Sequence, residues 1–319
     1  MMSKVEVNDT VKSLLEEVNA SFPGEVRIGF GEEQAGFVRH DQAQQFVEEG
    51  KMLIKVNDIT APNYTASHEL IHMLMILKGF PQLYFQLSTG EKDTDNQLMF
   101  LITELYDVIA HEVVVKEQRR HYLIDDEVEE AFFKGIEDAV EAEDAGKVDG
   151  FSTIRLIMMM DAITFYGNGL ANFETRLVDA FPTTYQAAKK IMQELDQRTI
   201  SNPFDFRRKV VKAFELIDTQ LKEWDLPEIH AMEFATLGSV FSERQLRLSV
   251  KQLFQIFHSD LHEKAQDTRG FVGLGISDQQ NAFVVPTPKD MPSDEYFREL
   301  YAKNVKDFFE EMKMPYTIR

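Results

Sequence analysis

The chain reads as an α+β protein that is predominantly helical, with a small N-terminal sheet and a larger C-terminal helical portion. Three observations carry this reading. Short runs rich in Val, Ile and Phe, bounded by Gly or polar turn residues, fall before residue 57. Residues 95–120 form a long apolar stretch free of Gly and Pro, as a helix requires. Beyond residue 122 the pattern is nearly all helical, with short breaks.

Residues 11–20 are expected to be helical and to stop at the Pro23-Gly24 turn. Residues 25–30, 36–40 and 52–56 read as strands of one sheet, with 32–35 turning between the first two. Residues 57–65, which include Pro62, read as a loop. The helix that follows has Thr65 or Asn63 as its cap and Gly79 with Pro81 as its stop. In the 95–120 helix, Leu98, Leu101, Ile102, Leu105, Ile109 and Val113 supply a buried face. Residues 125–143 make an acidic amphipathic helix, and 146–150 a break. Further helices are expected over 151–165, 185–197, 206–224, 227–237 and 243–264. Residues 270–288 read as a loop with a short strand near Ala282, and 294–312 as a closing helix. The run Met158-Met159-Met160 is gap-filling core more often than a binding surface.

His68-Glu69-Leu70-Ile71-His72 heads the apolar run 70–80. Residues four apart share a helix face, so both imidazoles can reach one cation. Glu69, one position on, can take the proton of an attacking water. With 8 His in 319 residues, composition alone would give such a pentapeptide in about two chains in a hundred, so context has to support it. A strand, a loop and then a ligand-bearing helix is that context. His258 and His262 repeat the spacing, but Ser259 replaces the Glu and the neighbours Asp260 and Glu263 are polar. The default there is a solvated helix face.

His68, Glu69 and His72, with Leu70, Leu74 and the closing Lys78-Gly79-Phe80-Pro81, resemble the signature helix of the zincin metallopeptidases. The resemblance covers residues 50–80 and extends to about 120. It implies zinc held by His68 and His72, Glu69 as general base, a third protein ligand and an open position for water. Glu104, Asp107 and His111 stack at spacings of three and four inside the next apolar helix, where ionisable groups are costly unless paired or bound to metal. Glu104 as third ligand makes the chain gluzincin-like, although the place four residues on, where gluzincins carry an Asp, is Val108. His111 as ligand, with Asp107 orienting its ring, is the second assignment, and Asp107 itself is the third. Tyr106, Tyr122, His121 and His111 are the candidate oxyanion donors, with Tyr106 turned away from Glu104. The resemblance also nominates residues 52–56 as the strand that pairs with extended substrate.

Composition limits the alternatives. Apolar content of 44% with 25 Phe and 14 Met supports a packed core. Cysteine is absent, so a metal must use His, Asp or Glu. Zinc suits that donor set, although manganese, cobalt or iron can occupy it. Net charge of −20, from 54 acidic and 34 basic residues, opposes nucleic-acid binding. No secretory signal or membrane span is read, so the expected location is the cytoplasm. The expected organisation is a zincin-like catalytic portion over residues 1–122 and a helical portion over 123–319 enclosing the cleft. The leading expectation is a zinc-dependent metallopeptidase acting on a peptide or protein. The alternatives are hydrolysis of a small non-peptide amide, or a regulatory partner-binding module on a zincin scaffold with little turnover.

Overall fold

The computed structural model describes residues 5–48, 50–288 and 291–319, and its helices outweigh its strands, 54% to 19%, in an α+β fold. The chain divides into two units, each assembled from two separate segments. Met1–Lys78 with Ala110–Lys189 form the first, and Gly79–Ile109 with Lys190–Arg319 the second. The boundary expected after residue 122 falls within the second segment of the first unit.

In the first unit, α1 (Asp9–Ser21) is capped by Asn8, whose side chain accepts from the Val11 amide at 2.9 Å. β1 (Val26–Glu33), β2 (Ala43–Glu48) and β3 (Lys51–Asp58) form a sheet ordered β1-β3-β2, with β1 parallel and β2 antiparallel to β3. No strand forms over residues 36–40. The Val38 amide donates to Ala131 O at 3.0 Å, and His40–Gln42 is one turn of 3-10 helix. The strand expected at 52–56 is present as β3, but it is central and uses both sides of its ladder, so β2 is an edge.

α2 (Pro62–Leu77) carries the His-Glu-x-x-His motif. It begins earlier than expected, at Pro62, whose missing N–H costs nothing in the first turn, and it has no side-chain cap. Asn63 Oδ1 instead accepts from the Asn8 amide at 2.8 Å, and the Thr65 hydroxyl donates to Ala61 O at 3.2 Å. Gly79, in the left-handed region at φ +80°, terminates it as expected. α3 (Lys92–Arg120) joins this unit from Ala110 onward. The fully buried Gln118 amide donates to Tyr64 O and Ser67 Oγ, both at 2.9 Å, tying α3 to α2. α4 (Asp126–Ala139), α5 (Ser152–Tyr166), α6 (Glu174–Ala180) and α7 (Pro182–Leu195) follow. Phe132 of α4 stacks on Phe165 of α5 at 3.8 Å, and Met159 and Met160 are fully buried, the core role.

The second unit contains β4 (Leu83–Tyr84), β5 (Leu87–Ser88), the start of α3, the end of α7, α8 (Pro203–Glu223), α9 (Ala231–Phe234), β6 (Thr236–Leu237), β7 (Ser239–Phe241), α10 (Glu243–Leu246) and α11 (Val250–Leu253). Then come β8 (Phe254–Glu263), β9 (Thr268–Gly275), β10 (Asn281–Val285), α12 (Ser293–Ala302), α13 (Val305–Glu311) and β11 (Tyr316–Ile318). The helix expected over 243–264 is replaced by two short turns and β8, in a sheet ordered β10-β9-β8-β5. The helix expected over 227–237 shrinks to α9 and yields to β6. The closing helix breaks in two where Asn304 caps α13. Phe254, Phe283, Phe308 and Phe309 form the centre of this unit's apolar cluster.

Candidate metal centre

α2 sets His68 and His72 one turn apart, and their Nε2 atoms face each other at 3.1 Å. Two nitrogens each about 2.0–2.1 Å from one tetrahedral ion stand about 3.3 Å apart, so this separation fits a shared cation. His68 is buried and its Nδ1 makes no hydrogen bond. Burial, followed by the neighbouring rings of His40, His72 and His111, holds the His68 pKa well below the usual histidine range. Burial first, then His111 and His40, does the same to His72. Both rings are therefore neutral, the state a cation needs.

α3 contributes His111, buried, with its ring 4.8 Å from His68 and 5.5 Å from His72. Burial lowers its pKa as well, against the pull of Asp161. His40 arrives from the segment between β1 and β2. Its ring stacks on His68 at 4.6 Å and lies 4.1 Å from His111. His40, His68 and His111 each offer one ligand atom within 4.8 Å of the other two. α5 supplies Asp161, whose Oδ1 lies 2.6 Å from His111 Nδ1 and whose Oδ2 lies 2.9 Å from His40 Nε2. Burial alone would raise the Asp161 pKa; His111 and His40 outweigh it and hold the carboxyl far below the usual range. Phe132 and Phe165 back the cluster with apolar surface.

Glu69, the next residue on α2, accepts a hydrogen bond from Gln45 Nε2 of β2 at 2.9 Å. Burial raises its pKa, and the Gln45 amide and His40 offset part of that. A carboxylate shifted toward neutrality beside neutral imidazoles is suited to exchanging a proton with a bound water.

Four of the residues singled out in sequence, His68, Glu69, His72 and His111, come together in the first unit. Glu104 and Asp107 lie two turns and one turn before His111, on the part of α3 that belongs to the second unit. Among the described residues, Glu104 belongs to no group of side chains that could share a cation. The carboxylate on His111 Nδ1 is Asp161, not the Asp107 expected from helix spacing. Among the oxyanion candidates, the Tyr106 hydroxyl donates to Pro81 O at 2.8 Å, and His121 lies 3.9 Å from Glu117. Tyr122 is 92% exposed. His258 and His262 lie on β8, where His258 stacks on Phe271 and His262 approaches Asp267.

His40 and Asp161 are the two residues that sequence reasoning missed. Asp161 carried a signal, being a lone acid within the apolar run 156–165. His40, in a polar segment, carried none. No protein-family model, curated protein or solved structure matches the chain.

Proposed function

We propose that the chain is a zinc-dependent hydrolase of the zincin type whose substrate is a peptide or protein. The observation that carries this is the 3.1 Å approach of His68 Nε2 to His72 Nε2 on the helix that also presents Glu69. His68 and His72 hold the ion, and His111, whose Nδ1 is committed to Asp161, supplies the third nitrogen. Such an ion, when bound, acidifies a water and polarises a carbonyl. Glu69 takes the proton of the attacking water and delivers it to the leaving amine. His68, His72 and His111 stay neutral because they are buried, and the apolar wall of Phe132 and Phe165 limits bulk water behind them.

β2 supports a peptide substrate. It is an edge of its sheet, its Gln45 bonds Glu69, and its Phe46 and Val47 are exposed. An extended chain can add to such an edge through backbone hydrogen bonds, placing its carbonyls beside Glu69. Net charge of −20 argues against nucleic acid as partner. Among the described residues no helix is long and apolar enough to cross a membrane.

Zinc content by mass spectrometry, together with peptide hydrolysis, tests the reading. Wild-type protein should hold zinc, His72→Ala and His111→Ala should lose it, and Glu104→Ala should keep it. Glu69→Gln should keep zinc and lose hydrolysis by a factor on the order of 10²–10⁴. Loss of zinc from Glu104→Ala instead of His111→Ala would move the third ligand to Glu104. Wild type that takes up no supplied zinc would end the hydrolase reading. Zinc binding without turnover, unchanged in Glu69→Gln, would point to a binding module.

A further inference from the structure

Asp161 contacts two imidazoles at once, and this fixes which nitrogen of each ring is left for a cation. An ionised carboxylate only accepts hydrogen bonds, so His111 Nδ1 and His40 Nε2 must both carry the proton toward it. In neutral rings the lone pairs then stand on His111 Nε2 and His40 Nδ1. The zincin signature accounts for His68 and His72. It does not call for a histidine between β1 and β2, or for a carboxylate on α5.

The position of His40 is built into the fold. Ahead of it, the Ala35 and Gly36 amides donate to Asp58 Oδ2 (2.6 Å) and Thr60 Oγ1 (2.9 Å), and Val38 is buried with its amide on Ala131 O. Val38 approaches α4 so closely that a Cβ on Gly135 would lie 2.0 Å from Val38 O. Behind it, Gln42 accepts from the Arg39 amide at 3.0 Å and donates to Phe37 O at 3.0 Å. A segment held at so many points delivers one ring onto His68 and His111.

We infer that His40 is a further nitrogen ligand of the cation held by His68, and that Asp161 is the shared carboxylate that orients both His40 and His111 toward it. The inference rests on the metal reading of this centre, and with four imidazoles on the ion the reacting water would be its fifth ligand. One carboxylate thereby selects the tautomer of two ligands from two separate elements, a positioning role that leaves Asp161 off the ion.

Zinc affinity, measured by competition with a chromophoric chelator, and the visible spectrum of the cobalt(II)-loaded protein test it. The variants are His40→Ala, His40→Gln and Asp161→Asn, each checked for its fold by circular dichroism. His40→Gln and Asp161→Asn keep hydrogen-bonding groups in place, so failure of His40→Ala to fold would not end the test. Both His40 variants that fold should bind zinc about ten- to a hundredfold more weakly and change the cobalt spectrum. Asp161→Asn should weaken zinc binding over a similar range, about ten- to a hundredfold. Wild-type affinity and spectrum in the His40 variants, while His72→Ala still loses the ion, would overturn the His40 assignment and leave the centre standing. Unchanged affinity in Asp161→Asn would overturn the shared-carboxylate role. A wild-type chain that binds no ion would overturn both the inference and the function it rests on.

Discussion

Burial keeps His68, His72 and His111 neutral, and this ties the stability of the metal-free chain to pH. Each ring has a folded-state pKa below its unfolded value of about 6.5. Below that value the unfolded chain binds protons that the folded one refuses, so stability is full above it and falls as pH drops. Asp161 also has a lowered pKa, but its contribution is lost only in much stronger acid and does not enter this window. The urea midpoint of the metal-free protein should therefore fall between about pH 7.5 and about pH 5.5, and fall less in His72→Asn. A midpoint that stays level would mean that the rings are not held neutral. At this scale the sequence displays His68, Glu69 and His72 openly, because one turn of one helix contains them. His111 is legible as an ionisable group in an apolar helix. Asp161 passes the same test on α5, yet nothing in a linear pattern says which neighbour it meets. His40 lies in a polar segment whose position comes from backbone contacts with α4, and sequence periodicity does not record those.

Gly135 is the element-scale counterpart. Glycine in a helix interior costs about 1 kcal/mol relative to alanine, so Gly135→Ala on an exposed face would stabilise α4. Here the added Cβ would lie 2.0 Å from a backbone carbonyl, that of Val38, which cannot swing aside like a flexible side chain. Overpacking of this kind costs about 1–3 kcal/mol, which outweighs the propensity gain. Gly135→Ala should lower the urea midpoint and, by displacing the segment that carries His40, weaken zinc binding. A variant as stable and as tight as wild type would refute that account. The same scale explains the largest misreading of the chain. In Phe254–Glu263 the adjacent apolar residues Ile256 and Phe257 break strict alternation, and the register of β8 on β9 shifts between His258 and His262. An irregular strand loses the period of two that would reveal it, and helix-compatible residues fill the gap. By contrast α3, with its long run free of Gly and Pro, needs no tertiary information to be recognised.

At the scale of the whole molecule, each unit is made of two segments separated by residues of the other. A reading that moves along the chain looks for one cut and places it at a change of composition; interleaving leaves no such mark. Charge, however, is a property of the whole and was legible from the outset. At −20 the folded chain repels itself. Salt weakens that repulsion and also the surface ion pairs, but each exposed pair contributes only about 0–1 kcal/mol. The excess of acid should win, so the thermal midpoint should rise between about 0.01 M and about 0.3 M ionic strength. A fall would show that the ion pairs dominate.

The bridge from His111 to Asp161 spans fifty positions of sequence, and translation imposes an order on its two ends. The ribosome adds about 5–20 residues per second, so the nascent chain carries all four imidazoles for about 3–10 s before Asp161 exists. During that interval Asp161 cannot yet select the tautomers of His40 and His111. A cation captured early meets an unsorted set of nitrogens, and the centre acquires its final donors only after α5 has been made.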